Sequence, residues 1–139
     1  MHRLLIAASF VVLGAAANDA VQQPPPPKAV TTASGVFTSA QASRGEQTYM
    51  NICVACHPKG TYTAPAFREK WNGNALSELY TFVSTSMPKM EPGTLEPEEY
   101  AQVIAYLLKI NGMPAGKAEL PADAKALRRI RIWMPVDNK

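Results

Sequence analysis

The only two cysteines of this 139-residue chain stand three positions apart and run straight into a histidine, Cys53-Val54-Ala55-Cys56-His57. Two thiols one helical turn apart with an imidazole beside them form the attachment pattern of a c-type haem. The sulfurs add to the two vinyl groups and the histidine becomes an axial ligand of the iron. Three other chemistries use similar residues. A redox-active dithiol opens a helix after a strand, but here the motif follows a helical pattern with no strand before it. A structural zinc site needs four ligands, and Cys53, Cys56 and His57 make three. A disulfide between these cysteines closes a tiny loop and stabilises little.

The far side of the iron needs a second ligand. His2 is the one other histidine, and it falls in a leader expected to be removed. Methionine is the alternative, and a thioether opposite histidine raises the haem potential into the range used for electron transfer. Met50 is too close to Cys53 on the same helix, while Met113 and Met134 lie beyond the last predicted helix. Met87 and Met90 remain, both in a turn between helices.

The elements that must position these groups are helical. Ser39 is placed to cap a first helix through Ala42, Gly45 and Tyr49, which share a face at spacings of three and four and end at the cysteines. A loop over residues 57–70 is punctuated by Pro58, Gly60 and Pro65. Leu76, Leu79, Tyr80 and Val83 predict a short amphipathic helix over 75–85, followed by a turn over 87–93. The last helix, from Pro97 to Ile110, has Pro at its first position, Glu98 and Glu99 in its first turn, Lys109 in its last and Asn111-Gly112 beyond, which suits the helix dipole and the capping preferences. Its apolar face is Tyr100, Val103, Ile104, Leu107 and either Ile110 or Leu108. Strand signal is weak throughout, apart from Ile130 and Ile132 as one short extended piece.

The ends of the chain read differently. Met1-His2-Arg3, an apolar run from Leu4 to Leu13, and Ala15-Ala16-Ala17 have the parts of a secretory signal peptide. Ten residues, interrupted by Ser9, are too few for a membrane span, which needs about 20. Cleavage is expected after Ala17, with Ala20 the second choice, leaving a periplasmic protein that touches the membrane only if the segment is retained. Four successive prolines, Pro24 to Pro27, favour an extended spacer. The organisation expected is therefore signal peptide 1–17, Pro-rich tether 18–36, folded domain 37–115 and C-terminal extension 116–139. Cleavage removes Arg3 from 14 basic residues set against 11 acidic ones. The resulting charge, about +2, is too mild for a nucleic-acid binder.

Taken together, these residues resemble the class I, mono-haem cytochrome c family over nearly everything from Thr38 to Asn111. The likeness rests on Gly45-x-x-x-Tyr49-x-x-x-Cys53 leading into the haem motif, on Met87-Pro88, and on Val103-Ile104-Ala105-Tyr106-Leu107. The resemblance implies an all-α fold of three main helices around one covalent haem, with first and last helices crossed and Tyr106 packed against Gly45. It implies Met87 as the sixth ligand by the Met-Pro motif, with Met90 the alternative. It also implies that a carbonyl beside Pro65 steadies the axial His57. Residues 106–121 are similar to an extension on cytochromes associated with quinoprotein dehydrogenases.

The function expected is that of an exported one-electron carrier between redox proteins, a dehydrogenase, an oxidase or another cytochrome, rather than an enzyme in its own right, though it could serve as a subunit of a dehydrogenase or oxidase system. The interval from His57 to Met87 is short for the family, which implies a lean crevice with one haem edge exposed. Two other functions use the same residues: a haem sensor whose iron lacks a methionine, and an exported thiol redox protein carrying free Cys53 and Cys56. Lys125, Arg128, Arg129 and Arg131 form a basic cluster suited either to an acidic partner or to plain solvation. Trp71 and Trp133 have two possible packing sites, the porphyrin and the core.

Overall fold

A computed structural model describes residues 29–135. The predicted signal peptide 1–17, the first part of the tether and His2 lie outside the described residues. The helices are α1 (Ser39–Thr48), α2 (Lys59–Thr63), α3 (Pro65–Trp71), α4 (Leu76–Ser86), α5 (Pro97–Ile110) and α6 (Ala124–Leu127). Two short strands, β1 (Val30–Thr31) and β2 (Ile130–Arg131), pair in parallel with Val30 opposite Ile130. The fold is all-α and cytochrome c-like, with this small parallel clip between its ends.

α1 and α5 cross at the centre of the fold. The crossing is set by Gly45, which is buried. A Cβ built there lies 1.8 Å from the Gln102 carbonyl oxygen and 2.9 Å from the Val103 nitrogen. The glycine therefore admits backbone against backbone. The Tyr106 ring lies 5.1 Å from that of Tyr49, tilted by 50°.

α5 keeps its predicted bounds because its end signals are local. The Glu99 carboxylate accepts from the Glu96 N–H at 3.0 Å, and Gly112 leaves the helix at φ 81, a left-handed conformation that favours glycine. Its burial is wider than the single apolar face expected: Tyr100, Ala101 and every residue from Val103 to Leu108 are buried. Of the two candidates for the last apolar position, Leu108 is in the core and Ile110 is half-buried. One side of α5 packs with α1 and α4, and a second, smaller cluster of Tyr49, Tyr106 and Leu107 faces the haem motif.

The tail adds to the core. Residues 116–139 were expected to extend from the domain, yet Leu120, Leu127, Ile132 and Met134 are core residues. Side chains hold this segment as a strand partner would. The Gln41 amide donates to the Leu120 carbonyl at 2.8 Å and accepts from its N–H at 2.7 Å. Asn72 does the same for Met134 at 3.1 and 2.8 Å. The Thr32 hydroxyl donates to the Trp133 carbonyl at 2.6 Å and accepts from its N–H at 2.9 Å. Thr32 is wholly buried, so the folded unit begins at residue 30 and not at 37. The predicted tether shortens accordingly, because residues 30–36 have backbone and side-chain partners in the tail.

The tail approaches closely where Gly116 meets Gly35. A Cβ on Gly116 would lie 1.8 Å from the Gly35 carbonyl oxygen, and the Gly116 N–H donates to Phe37 at 2.6 Å.

Two smaller expectations also change. Thr38, not Ser39, caps α1, its hydroxyl accepting from the Gln41 N–H at 3.0 Å. The predicted loop 57–70 holds α2 and α3, because Pro65 opens α3, at a position where its missing N–H costs nothing.

Gln41→Ala strands the Leu120 N–H and C=O in a buried site. An unsatisfied buried backbone group costs about 1–3 kcal/mol, so urea unfolding of the variant is expected to show a loss of about 2–3 kcal/mol.

Candidate functional site

The haem motif grows out of α1. Residues Tyr49–Cys53 form a wider π turn, with the Val54 N–H reaching back to Tyr49 at 3.0 Å; the His57 N–H then bonds the Cys53 carbonyl at 2.9 Å. Such turns mark functional sites in helices, and this one rotates the cysteines off the α1 face that packs on α5. Cys53 and Cys56 are both free thiols. Tyr49, almost fully buried, donates its hydroxyl to the His57 carbonyl, which fixes the backbone that carries the imidazole. The Tyr62 ring lies 5.7 Å from the His57 ring.

The four predicted site residues come together. Cys53, Cys56, His57 and Met87 all line one cleft of ≈ 340 Å³, with walls from Leu79, Phe82, Val83, Val103, Leu107 and several aromatics. That volume lies within the ~300–1,000 Å³ range of small-molecule and cofactor sites. Burial disfavours charge inside it. The Cys53 thiol is pushed up by desolvation. The Tyr62 phenol is pushed up to about 12, chiefly by burial and then by Tyr49 and Cys53 nearby. Among the described residues no three of His, Cys, Asp and Glu are grouped to hold a bare metal ion; the donors face the cleft instead.

Met87 and Met90 both line the cleft but differ in support. Met87 caps the end of α4 and is half-buried. Its carbonyl accepts from the Tyr100 hydroxyl at 2.7 Å and from the Gly93 N–H at 3.3 Å. Met90 is 92% exposed. Sequence reasoning missed the Tyr100 clamp, as it missed the Tyr49 contact, because each joins a hydroxyl to a backbone carbonyl on another element.

Asn111 was read as a helix end only. It is buried, and its amide donates to the carbonyls of Tyr62 and Leu107, both at 2.9 Å, while it accepts from Arg68 at 3.2 Å. It therefore ties α2 and α3, the lower wall of the cleft, to the end of α5. Pro65 is exposed and opens α3. Trp71 lines the cleft, and Trp133 is half exposed beside β2.

Residues 40–107 match the family model described as cytochrome C oxidase, cbb3-type, subunit III. Over these residues the chain is similar to a c-type cytochrome domain. The match spans α1 through the Leu107 turn of α5 and so contains the haem motif and Met87-Pro88. A cytochrome c domain is a haem-containing electron carrier with redox proteins as partners, and it implies a covalently bound haem c with iron. The residues present suit that group: two free thiols, one imidazole and one thioether on the walls of a cleft that is otherwise nearly all apolar. No curated protein and no solved structure matches the chain.

Proposed function

We propose that the protein is an exported, periplasmic carrier of single electrons, with His57 and Met87 as the two axial ligands of one haem held through Cys53 and Cys56. Bound, the haem supplies a one-electron couple between ferric and ferrous iron. Tyr49 holds the His57 backbone and Tyr100 holds that of Met87, so both ligands are anchored on their own sides of the cleft. Two anchored ligands exclude small molecules from the iron and keep rearrangement small as the electron comes and goes. Leu107, Val103 and Leu79 exclude water from the walls. The observation that carries this reading is the convergence of both thiols, the imidazole and a backbone-clamped thioether on one apolar cleft.

The donor in this reading is a periplasmic dehydrogenase, supported by the likeness of residues 106–121 to cytochromes associated with quinoprotein dehydrogenases. The name of the matched family supports an oxidase system as acceptor. Export is supported by the signal-like residues 1–17.

The ligand assignment has a direct spectroscopic test. Met87→Ala is expected to abolish the methionine-to-iron charge-transfer band and to let the reduced protein bind carbon monoxide. Met90→Ala is expected to change neither. Loss of the band in Met90→Ala alone would transfer the role to Met90. Ready binding of carbon monoxide by the unaltered protein would favour a sensor over a carrier.

A further inference from the structure

The cleft is lined by two charged aspartate, glutamate, lysine or arginine side chains, and both are cations: Lys70 from α3 and Lys89 from the turn after α4. No carboxylate stands on the walls to balance them, and among the described residues neither lysine makes an ion pair. Lys70 is moreover held in place. Its Nζ lies 5.1 Å from the centre of the Trp71 ring and 4.9 Å from that of Phe82, the two rings being 5.7 Å apart. Cations are attracted to such ring faces, so the long lysine stem is confined at the cleft rim instead of sweeping through solvent.

An apolar cleft with two unbalanced cations is complementary to a ligand that is apolar in its body and carries two anionic groups on its periphery. Haem is such a ligand, with two propionate carboxylates that take no part in thioether formation or iron ligation. We propose that Lys70 and Lys89 are the counter-cations of the two haem propionates, with Trp71 and Phe82 positioning Lys70 for that role. The inference rests on the haem reading above and adds to it the residues that set the charge around the group. Reduction of the iron adds one negative charge to the bound group. Both lysines are exposed at the mouth of this apolar cleft, and a cation beside an apolar wall acts on that charge more strongly than one surrounded by water. The two lysines therefore stabilise the ferrous state and raise the reduction potential.

The test uses the haem-loaded, full-length protein and its spectroelectrochemical midpoint at one pH. Lys70→Gln and Lys89→Gln are each expected to lower the midpoint, and the double variant to lower it further. Lys70→Arg is expected to keep it, and Lys117→Gln, which removes an exposed cation that does not line the cleft, to leave it unchanged. Redox-induced infrared difference spectra are expected to show the propionate carboxylate bands displaced in the two cleft variants and unmoved in Lys117→Gln. The methionine-to-iron band serves as a control, since it must persist in every variant if charge alone is altered. A midpoint and carboxylate bands that stay in place in the double variant, with haem attached and the methionine band present, would overturn the proposal while leaving the haem reading intact. Wild-type protein that takes up no haem would overturn both.

Discussion

Gly45→Ala is expected to lower the unfolding free energy by about 4 kcal/mol or more, in the exceptional range for a single substitution. The added methyl carbon would start 1.8 Å from the Gln102 carbonyl oxygen and 2.3 Å from its carbon. Both are backbone atoms in the middle of α5, with no rotamer to change. Relief requires α1 and α5 to part by more than an ångström along their contact, whereas overpacking by side chains alone commonly costs about 1–3 kcal/mol. The loss would spread to the site, since the Tyr49 to Tyr106 stack and the π turn both hang on that crossing. Guanidinium unfolding of the haem-loaded protein measures the cost, and unchanged stability would mean that the helices do not cross through Gly45.

The double substitution Cys53→Ser, Cys56→Ser is expected to abolish covalent haem entirely, seen as loss of haem staining on a denaturing gel and of the porphyrin mass on the peptide spanning the motif. Each single variant is expected to keep one link. The consequence for stability is large because the haem fills space that the chain cannot close. A cleft of ≈ 340 Å³, at about 24 cal/mol per Å³ of residual cavity, corresponds to about 8 kcal/mol. Solvent entering the open mouth reduces that figure. Even half of it is comparable with the ~5–15 kcal/mol that holds a typical domain together. The double variant is therefore expected to show weakened near-ultraviolet dichroism and rapid proteolysis as well as absent haem. Full haem staining in that variant would contradict thioether attachment through these two cysteines.

What could be read from the sequence was what is local. Both ends of α5 are written in adjacent residues, Pro97 with Glu98 and Glu99 at one end and Asn111-Gly112 at the other, and the helix occupies that range. The haem motif is five residues whose chemistry depends on their mutual spacing alone, and Met87-Pro88 is a pair. α2 and α3 were missed because helices of five and seven residues show too little periodicity, and because Pro65 was read as a breaker when it begins a helix. The tail was missed for a different reason. Leu120, Leu127, Ile132 and Met134 are spaced too irregularly to suggest any face, and the groups that hold the tail at Leu120, Trp133 and Met134, namely Gln41, Thr32 and Asn72, are polar residues that read as surface. Tyr49 and Tyr100 looked like core aromatics. Their hydroxyls do the positioning, and nothing in a linear sequence says which distant carbonyl a hydroxyl will find.

The hydrogen bonds between Thr32 and Trp133 join residues 101 positions apart, and the Val30 to Ile130 pairing lies beside them. Such a clasp leaves the domain with no self-sufficient half. A chain cut after α5, where the helical pattern ends, lacks five core side chains, Met113, Leu120, Leu127, Ile132 and Met134, and every partner of Gln41 and Asn72 in the tail. A contact that closes so long a loop forms late, since the entropy of closure must be met before it yields anything. The molecule should thus lock only when its final residues arrive, and it should come apart all at once, starting from the same fastening.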